Sequence, residues 1–157
     1  MKYVLSGRFG HPAPVLLLLL LILVTGLTES AWAGPGINIV VKTVLASQDS
    51  AYADPRLSEL IRELQSVFKY SSYRLLSQNR MKLGMKETGT ASLPKNRVLK
   101  ITPIRIKGER AELRLEIFKK KRQIFQTVIQ LLNRGTITVG GPRHKGGYLL
   151  FNISNSF

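Results

Sequence analysis

The stretch most suggestive of chemistry is VGGPRHKGGYLL, residues 139–150, in which two glycine pairs bracket a basic run. A loop that cradles a phosphate places backbone N–H groups at the N-terminus of a helix. Gly141 and Gly146 have the spacing of a P-loop, but the lysine and hydroxyl residue that should follow are absent, and β-forming residues come next. We therefore interpret the segment as a hairpin connection between two strands, with glycines supplying positive φ at its two ends.

The charged residues of that connection have a second interpretation, as contacts for an anion or a protein partner on an exposed tip. A second basic run, KKKR at residues 119–122, lies between two predicted strands and is expected to form another charged hairpin tip. The candidate contact residues of the two tips are Arg143, His144, Lys145, Lys119, Lys120, Lys121 and Arg122.

Catalytic and metal chemistry find little support in the rest of the sequence. The chain has no cysteine, and His144 is the one histidine after residue 33, whereas metal sites need several such ligands held together. No nucleophile-elbow pattern surrounds a serine. The carboxylate pairs Glu59/Glu63 and Glu112/Glu116 flank arginines and are typical of surface charge pairing. We predict no catalytic residues, no cofactor and no metal, and therefore a protein that is not an enzyme.

The first residues are expected to direct export. Lys2 and Arg8 precede an unbroken apolar run from residue 15 to residue 24, and Ala31-Trp32-Ala33 follows as a small-x-small motif. This order is typical of a secretory signal peptide, and the run is about half the ~20 residues that a bilayer-spanning helix needs. We predict a signal peptide over residues 1–33, cleaved near Ala33, and a single periplasmic α+β domain over 34–157. An uncleaved anchor is the alternative.

The predicted domain is strongly basic. It holds 22 basic and eight acidic residues, a net charge of +14. Export predicts a periplasmic or secreted location, and the absence of disulfides favours a bacterial envelope compartment. An anionic envelope polymer or an envelope protein would meet this charge there. Nucleic acid is not an expected partner, and the membrane is expected to be met only through the signal peptide during export. A merely solvated surface is the alternative, and the sequence does not specify an oligomeric state.

These observations lead to one functional hypothesis with two alternatives. The first is a non-catalytic binding or accessory module of the bacterial cell envelope. The second is a small outer-membrane β-barrel, suggested by the terminal Phe157 and by apolar residues at 149, 151 and 153. The third is an uncharacterised periplasmic enzyme.

Periodicity predicts the elements that must position the two tips. INIVVKTVLAS, 37–47, is typical of a buried strand, and Asp54-Pro55 begins an amphipathic helix that runs to about residue 68. RVLKITPIRIK is expected to be a strand in which Pro103 marks an edge or a bulge, whereas TGTASLPKN, 88–96, is expected to be a loop. The remaining predicted strands lie within residues 72–87, 111–118, 123–132, 136–139 and 148–154.

The resulting fold class is α+β. One N-terminal amphipathic helix is expected to pack on a mainly antiparallel sheet of five to seven strands, in the order β-α-β-β-β-β-β, with a meander in the C-terminal half. One face of the sheet is expected to be exposed to solvent and the other to be covered by the helix. Phe68, Tyr70 and Tyr73 are expected to fix the helix on the sheet, with a ligand groove as the alternative.

Overall fold

The computed structural model describes residues 36–157, so the predicted signal peptide lies outside the described residues. Strands account for 66% of these residues, and there is one short helix. No helix in this part of the chain is both long and apolar enough to cross a membrane. The elements, in chain order, are β1 (Ile37–Ser47), β2 (Tyr52–Ala53), a 3-10 turn (Pro55–Leu57), α1 (Ser58–Val67), β3 (Ser72–Leu83), β4 (Gly89–Leu93), β5 (Arg97–Lys107), β6 (Arg110–Lys119), β7 (Arg122–Leu132), β8 (Thr136–His144) and β9 (Gly147–Ser156).

The strands form two sheets. The first has the order β2-β3-β1-β9-β8, and the second has the order β4-β5-β6-β7. Neighbouring strands are antiparallel in both sheets, apart from the short parallel pair β2–β3.

The main core lies between the facing sides of the two sheets. Alternate residues of each strand point inward, as the period of two requires. On β1 these are Ile37, Ile39 and Val41, and on β6 they are Leu113, Leu115 and Ile117; all six are completely buried in one cluster. Each face alone would expose an apolar surface to water, so burial of one against the other is the main stabilising term of the fold.

Helix α1 covers part of the outer face of the five-stranded sheet. Asp54 caps the preceding 3-10 turn, where its Oδ1 accepts a hydrogen bond from the Arg56 N–H. Leu57, Leu60 and Leu64 are buried against a second cluster that includes Tyr73. The Tyr73 hydroxyl donates a hydrogen bond to the Phe68 carbonyl, 2.6 Å away, which fixes the end of the helix on β3 as expected of the aromatic cluster.

The coarse class, an α+β domain with mainly antiparallel strands, is confirmed, but its arrangement differs from the prediction. The helix is internal, between β2 and β3, and nine strands in two sheets replace one sheet of five to seven. The expected role of the helix as the cover of the apolar face is wrong, because the second sheet covers that face. Alternation along a strand shows which face is buried, but not what buries it.

Two local predictions have opposite outcomes. Pro103 lies at a register shift in β5, as expected of a proline within a strand. The predicted loop 88–96 is wrong, because Gly89–Leu93 forms β4, in which Ala91 and Leu93 alternate inward. The C-terminal meander continues only from β4 to β7; β8 and β9 form a hairpin in the other sheet.

Candidate functional site

The two basic tips predicted from the sequence lie at the same end of the molecule. The first is the turn between β6 and β7, and the second is the turn between β8 and β9. Arg97 at the start of β5 pairs in register with Lys119, and its Nη1 donates a hydrogen bond to the Arg143 carbonyl at 3.4 Å. Arg97 therefore links the tips of the two sheets. We call this region the basic end; it comprises Lys95, Arg97, Lys119, Lys120, Lys121, Arg122, Arg143, His144 and Lys145.

Lysines occupy strained backbone positions in all three hairpin turns of the basic end. Lys120 and Lys121 have φ of 47° and 67°, Lys145 has φ of 43°, and Lys95 between β4 and β5 has φ of 63°. Asn and Gly are the residues favoured at such positions, because a side chain is crowded in the left-handed region. Lys86 and Arg134, in turns at the opposite end of the sheets, have φ of 65° and 59°, so this backbone conformation is shared by basic residues at both ends.

The glycines of residues 140–147 have a different role from the one predicted. The hairpin is confirmed, but its turn is the pair Lys145-Gly146, and Gly146, with φ of 75°, is the one of these glycines in the left-handed region. A Cβ on Gly141 would lie 2.5 Å from the Phe151 ring, and a Cβ on Gly147 would meet the Ala46 carbonyl oxygen. Close packing on neighbouring strands, and not backbone conformation, therefore requires glycine at 141 and 147.

Arg97 is the residue of this region that sequence reasoning missed. It points between the two sheets and is only 6% exposed. Its Nε donates a hydrogen bond to the Pro94 carbonyl at 2.9 Å, but its buried Nη2 has no partner among the described residues. Burial lowers the pKa of the guanidinium. An arginine remains charged in such a site, so the basic end contains a fixed internal positive charge without a carboxylate partner.

His144 does not lie on an exposed tip, contrary to its predicted place. It is 6% exposed and faces the space between the sheets, and its Nδ1 has no hydrogen-bond partner within residues 36–157. Burial lowers the pKa of His144, and the positive charges of Arg97, Lys95 and Lys145 lower it further. The imidazole is therefore neutral near pH 7 and contributes no charge to the surface.

The exposed surface of the basic end is rich in cations that lack acidic partners. Arg143 stacks over the Tyr148 ring, with 5.5 Å between its Cζ and the ring centroid. An open depression beside the β6–β7 turn is lined by Lys119, Lys120, Arg122, Gln123 and Ile124. In the described part of the chain, ion pairs form at Arg56–Asp54 and Arg105–Glu112 alone, and neither involves the basic end.

A smaller basic area lies on the half of the five-stranded sheet that α1 does not cover. Register places Lys42, Gln78, Arg80 and Lys82 on this outer face, together with Asn152, whose amide donates to the Thr138 hydroxyl at 3.0 Å. This area holds three cations on regular strands, whereas the basic end holds eight arginines and lysines around three turns. The basic end is therefore the stronger candidate.

The basic end is thus an exposed cationic surface around three turns. Across residues 36–157 there is no group of three or more His, Asp or Glu side chains placed to hold a metal ion. Comparison of the chain with protein-family models, with curated proteins and with solved structures gave no match.

Proposed function

We propose that residues 34–157 are a non-catalytic binding module of the bacterial cell envelope, and that the basic end binds an anionic partner there. The observation that supports this proposal is the convergence of two separate basic runs, 119–122 and 143–145, on one end of the sandwich. Three hairpin turns present lysines there without acidic partners.

Several cations held on neighbouring turns attract a polyanion more strongly than the same charges spread over the surface. The buried charge of Arg97 adds to this attraction, because charge in a low-dielectric interior is poorly screened. Carboxylates of an envelope polymer or of an acidic protein, and phosphates, are the groups that fit this surface. The proposal assigns the module to adhesion or assembly, not to a chemical reaction.

The test replaces three exposed cations of the basic end together, as Lys119→Gln, Arg122→Gln and Arg143→Gln. The matched control replaces three exposed cations of the opposite end, as Lys82→Gln, Lys107→Gln and Arg110→Gln, and so removes the same net charge. The probes are polyglutamate, which carries carboxylates, and polyphosphate. At ~0.5 kcal/mol for each exposed charge contact, the first triple variant loses about 1.5 kcal/mol, roughly tenfold in affinity.

The control variant is expected to retain most of the affinity for at least one probe. Preference for one probe would identify the anionic group. Equal loss in both variants would contradict the proposal, since binding would then follow net charge alone. Failure of the unaltered protein to bind either polymer at low salt would also contradict it.

A further inference from the structure

Strand β7 is an edge strand of unusual composition for this molecule. It spans eleven residues and pairs with β6, and no described strand pairs with its other edge. Residues 123–132 read QIFQTVIQLL and contain no charge, although 21% of the chain is charged. Exposed edges of this kind invite pairing with another strand, and proteins usually protect them.

The other edges of the two sheets are protected. Strands β2 and β4 have two and five residues. Strand β8 contains Gly140, Gly141 and Pro142 at a register shift, which interrupts a regular ladder. The part of β3 beyond β2 exposes Arg74, Arg80 and Lys82. Strand β7 begins with Arg122 and has a register shift of its own at residues 123–125, but residues 125–132 pair regularly with β6 and carry no charge. Among the described edges, β7 is therefore the one with a long, regular and uncharged stretch.

Strand β7 also exposes apolar side chains along its length. Ile124, Val128 and Leu132 are 44%, 49% and 52% exposed, and they alternate with Gln126 and Gln130. Apolar side chains exposed at a sheet edge gain stability when a neighbouring strand covers them.

The order of these residues is self-complementary in an antiparallel pair. With a two-fold axis at Val128, Ile124 would face Leu132 of a second copy, and Gln126 would face Gln130. Val128 would face its own equivalent. On the inner face, Phe125 would lie opposite Leu131. On the outer face apolar residues thus meet apolar residues and glutamine meets glutamine, which is the pattern that an isologous interface requires. On the inner face Thr127 would lie opposite Ile129, and at the two ends of the pair Arg122 would approach Arg134 of the second copy.

We propose that this protein forms a two-fold symmetric dimer in which β7 pairs with β7 of a second copy and joins the two four-stranded sheets. The self-complementary order of the outer side chains favours a second copy as the occupant, and the charge distribution favours β7 as the place where it pairs. Residues 34–157 have a net charge of +14, so two copies repel each other over most of their surface, and the uncharged β7 edge is where that repulsion is weakest. The two basic ends would then point in opposite directions, roughly 40 Å apart along the paired strands.

The test uses the unaltered protein, expressed from its full sequence and purified as the cell processes it. Sedimentation velocity over a concentration series is expected to show a monomer–dimer equilibrium. Val128→Lys places two like charges at the axis and is expected to weaken dimerisation at least tenfold. The control is Leu76→Lys, which adds the same charge at an exposed leucine of β3 and is expected to leave the equilibrium unchanged.

A cysteine variant tests the register independently of the lysine variant. The chain has no cysteine, so Val128→Cys introduces a single thiol. At the axis the two Cα atoms would lie ~5 Å apart, within the range of a disulfide. Oxidation is therefore expected to link Val128→Cys into dimers much faster than the control Leu76→Cys.

Three results would overturn the proposal: a monomer at every attainable concentration, a dimer that Val128→Lys leaves intact, and equal cross-linking of the two cysteine variants. A stoichiometric complex with a different protein through β7 would overturn it as well. These measurements report self-association and not polyanion binding, so the dimer and the proposed function can fail separately.

Discussion

Asp54 and Arg97 are both buried charged residues, 3% and 6% exposed, but their surroundings differ. The carboxylate of Asp54 accepts hydrogen bonds from the Arg56 guanidinium at 2.7 and 2.9 Å and from the backbone N–H groups of Arg56 and Leu75. Arg97 donates to two backbone carbonyls and has an unpartnered Nη2 among the described residues. The charge of Asp54 thus has a partner of opposite charge, whereas the charge of Arg97 has none among the described residues.

We interpret this difference as one between a structural role for Asp54 and the binding role that we propose for the region around Arg97. The hydrogen bond from the Arg56 side chain is the largest cause of a pKa of Asp54 far below the ordinary value; burial opposes it, and the backbone N–H groups of Arg56 and Leu75 add to it. Asp54 thereby joins the 3-10 turn before α1 to β3. The charge of Arg97 costs desolvation energy that no carboxylate offsets. Arg97 therefore contributes little net stability, which agrees with the role in attracting anions that we propose for the basic end.

The largest expected effect is that of Asp54→Ala. This variant removes the cap of the 3-10 turn that precedes α1 and leaves the Leu75 N–H without its acceptor, so we expect the Tm to fall by roughly 5–10 °C. The matched control is Glu112→Ala, which breaks the exposed Arg105–Glu112 pair of the same 2.7 Å length and is expected to change the Tm by less than about 2 °C. Thermal unfolding followed by circular dichroism measures both. Equal changes in Tm in the two variants would show that the buried hydrogen bonds of Asp54 stabilise the fold no more than the exposed ion pair does.

A smaller effect is expected from the protonation of His144. Its folded-state pKa is lowered, so the unfolded chain binds a proton at a higher pH than the folded chain does. The free energy of unfolding is therefore expected to fall as the pH falls through the ordinary value of 6.5, and to level off below the folded-state pKa. Urea unfolding at about pH 7.5 and about pH 5.5 measures this loss.

His144→Gln is the control for this pH dependence, since no other histidine lies within residues 34–157. The groups that raise the cost of its protonation are Arg97, Lys95 and Lys145, and the nearby carboxylate is Asp49, beside Gly146. We expect the variant to lose the pH dependence between these two conditions. An unchanged dependence in the variant would assign it to other groups.

The smallest expected change in stability is that of Arg97→Met. Methionine fills the same space without a buried charge, so the Tm is expected to stay within about 2 °C of the original value or to rise. Binding of polyphosphate is nevertheless expected to weaken. A fall in Tm as large as that of Asp54→Ala would make Arg97 a structural residue and remove the contrast between the two sites.

The sequence predicted the local elements of this fold better than their assembly. The strand 37–47, the capped helix and the bulge at Pro103 all depend on neighbouring residues, so their patterns are visible in the sequence. The second sheet depends on contacts between distant strands, which alternation does not specify. Strand β4 was missed because its polar and small residues resemble a loop, although Ala91 and Leu93 are buried.

The candidate site shows the same division. The two basic runs were identified from their composition, but nothing in the sequence indicated that they meet at one end. Arg97 was missed because it occupies an inward position of β5 that an apolar residue would normally take. The one sign of it in the sequence was position: Arg97 lies two and four residues before Leu99 and Ile101, and therefore on the same face of the strand as these apolar residues. His144 was assigned to an exposed tip because the turn was expected to be longer than two residues.

The most direct test of the account is to map where a polyanion binds the unaltered protein. Amide chemical shifts of the isotope-labelled protein would be recorded during addition of polyphosphate. We expect the largest changes at residues 95–97, 119–122 and 143–147, and their loss when the salt is raised from about 50 mM to about 500 mM. Changes centred on residues 38–42 and 78–82, or spread evenly over the surface, would contradict the assignment of binding to the basic end.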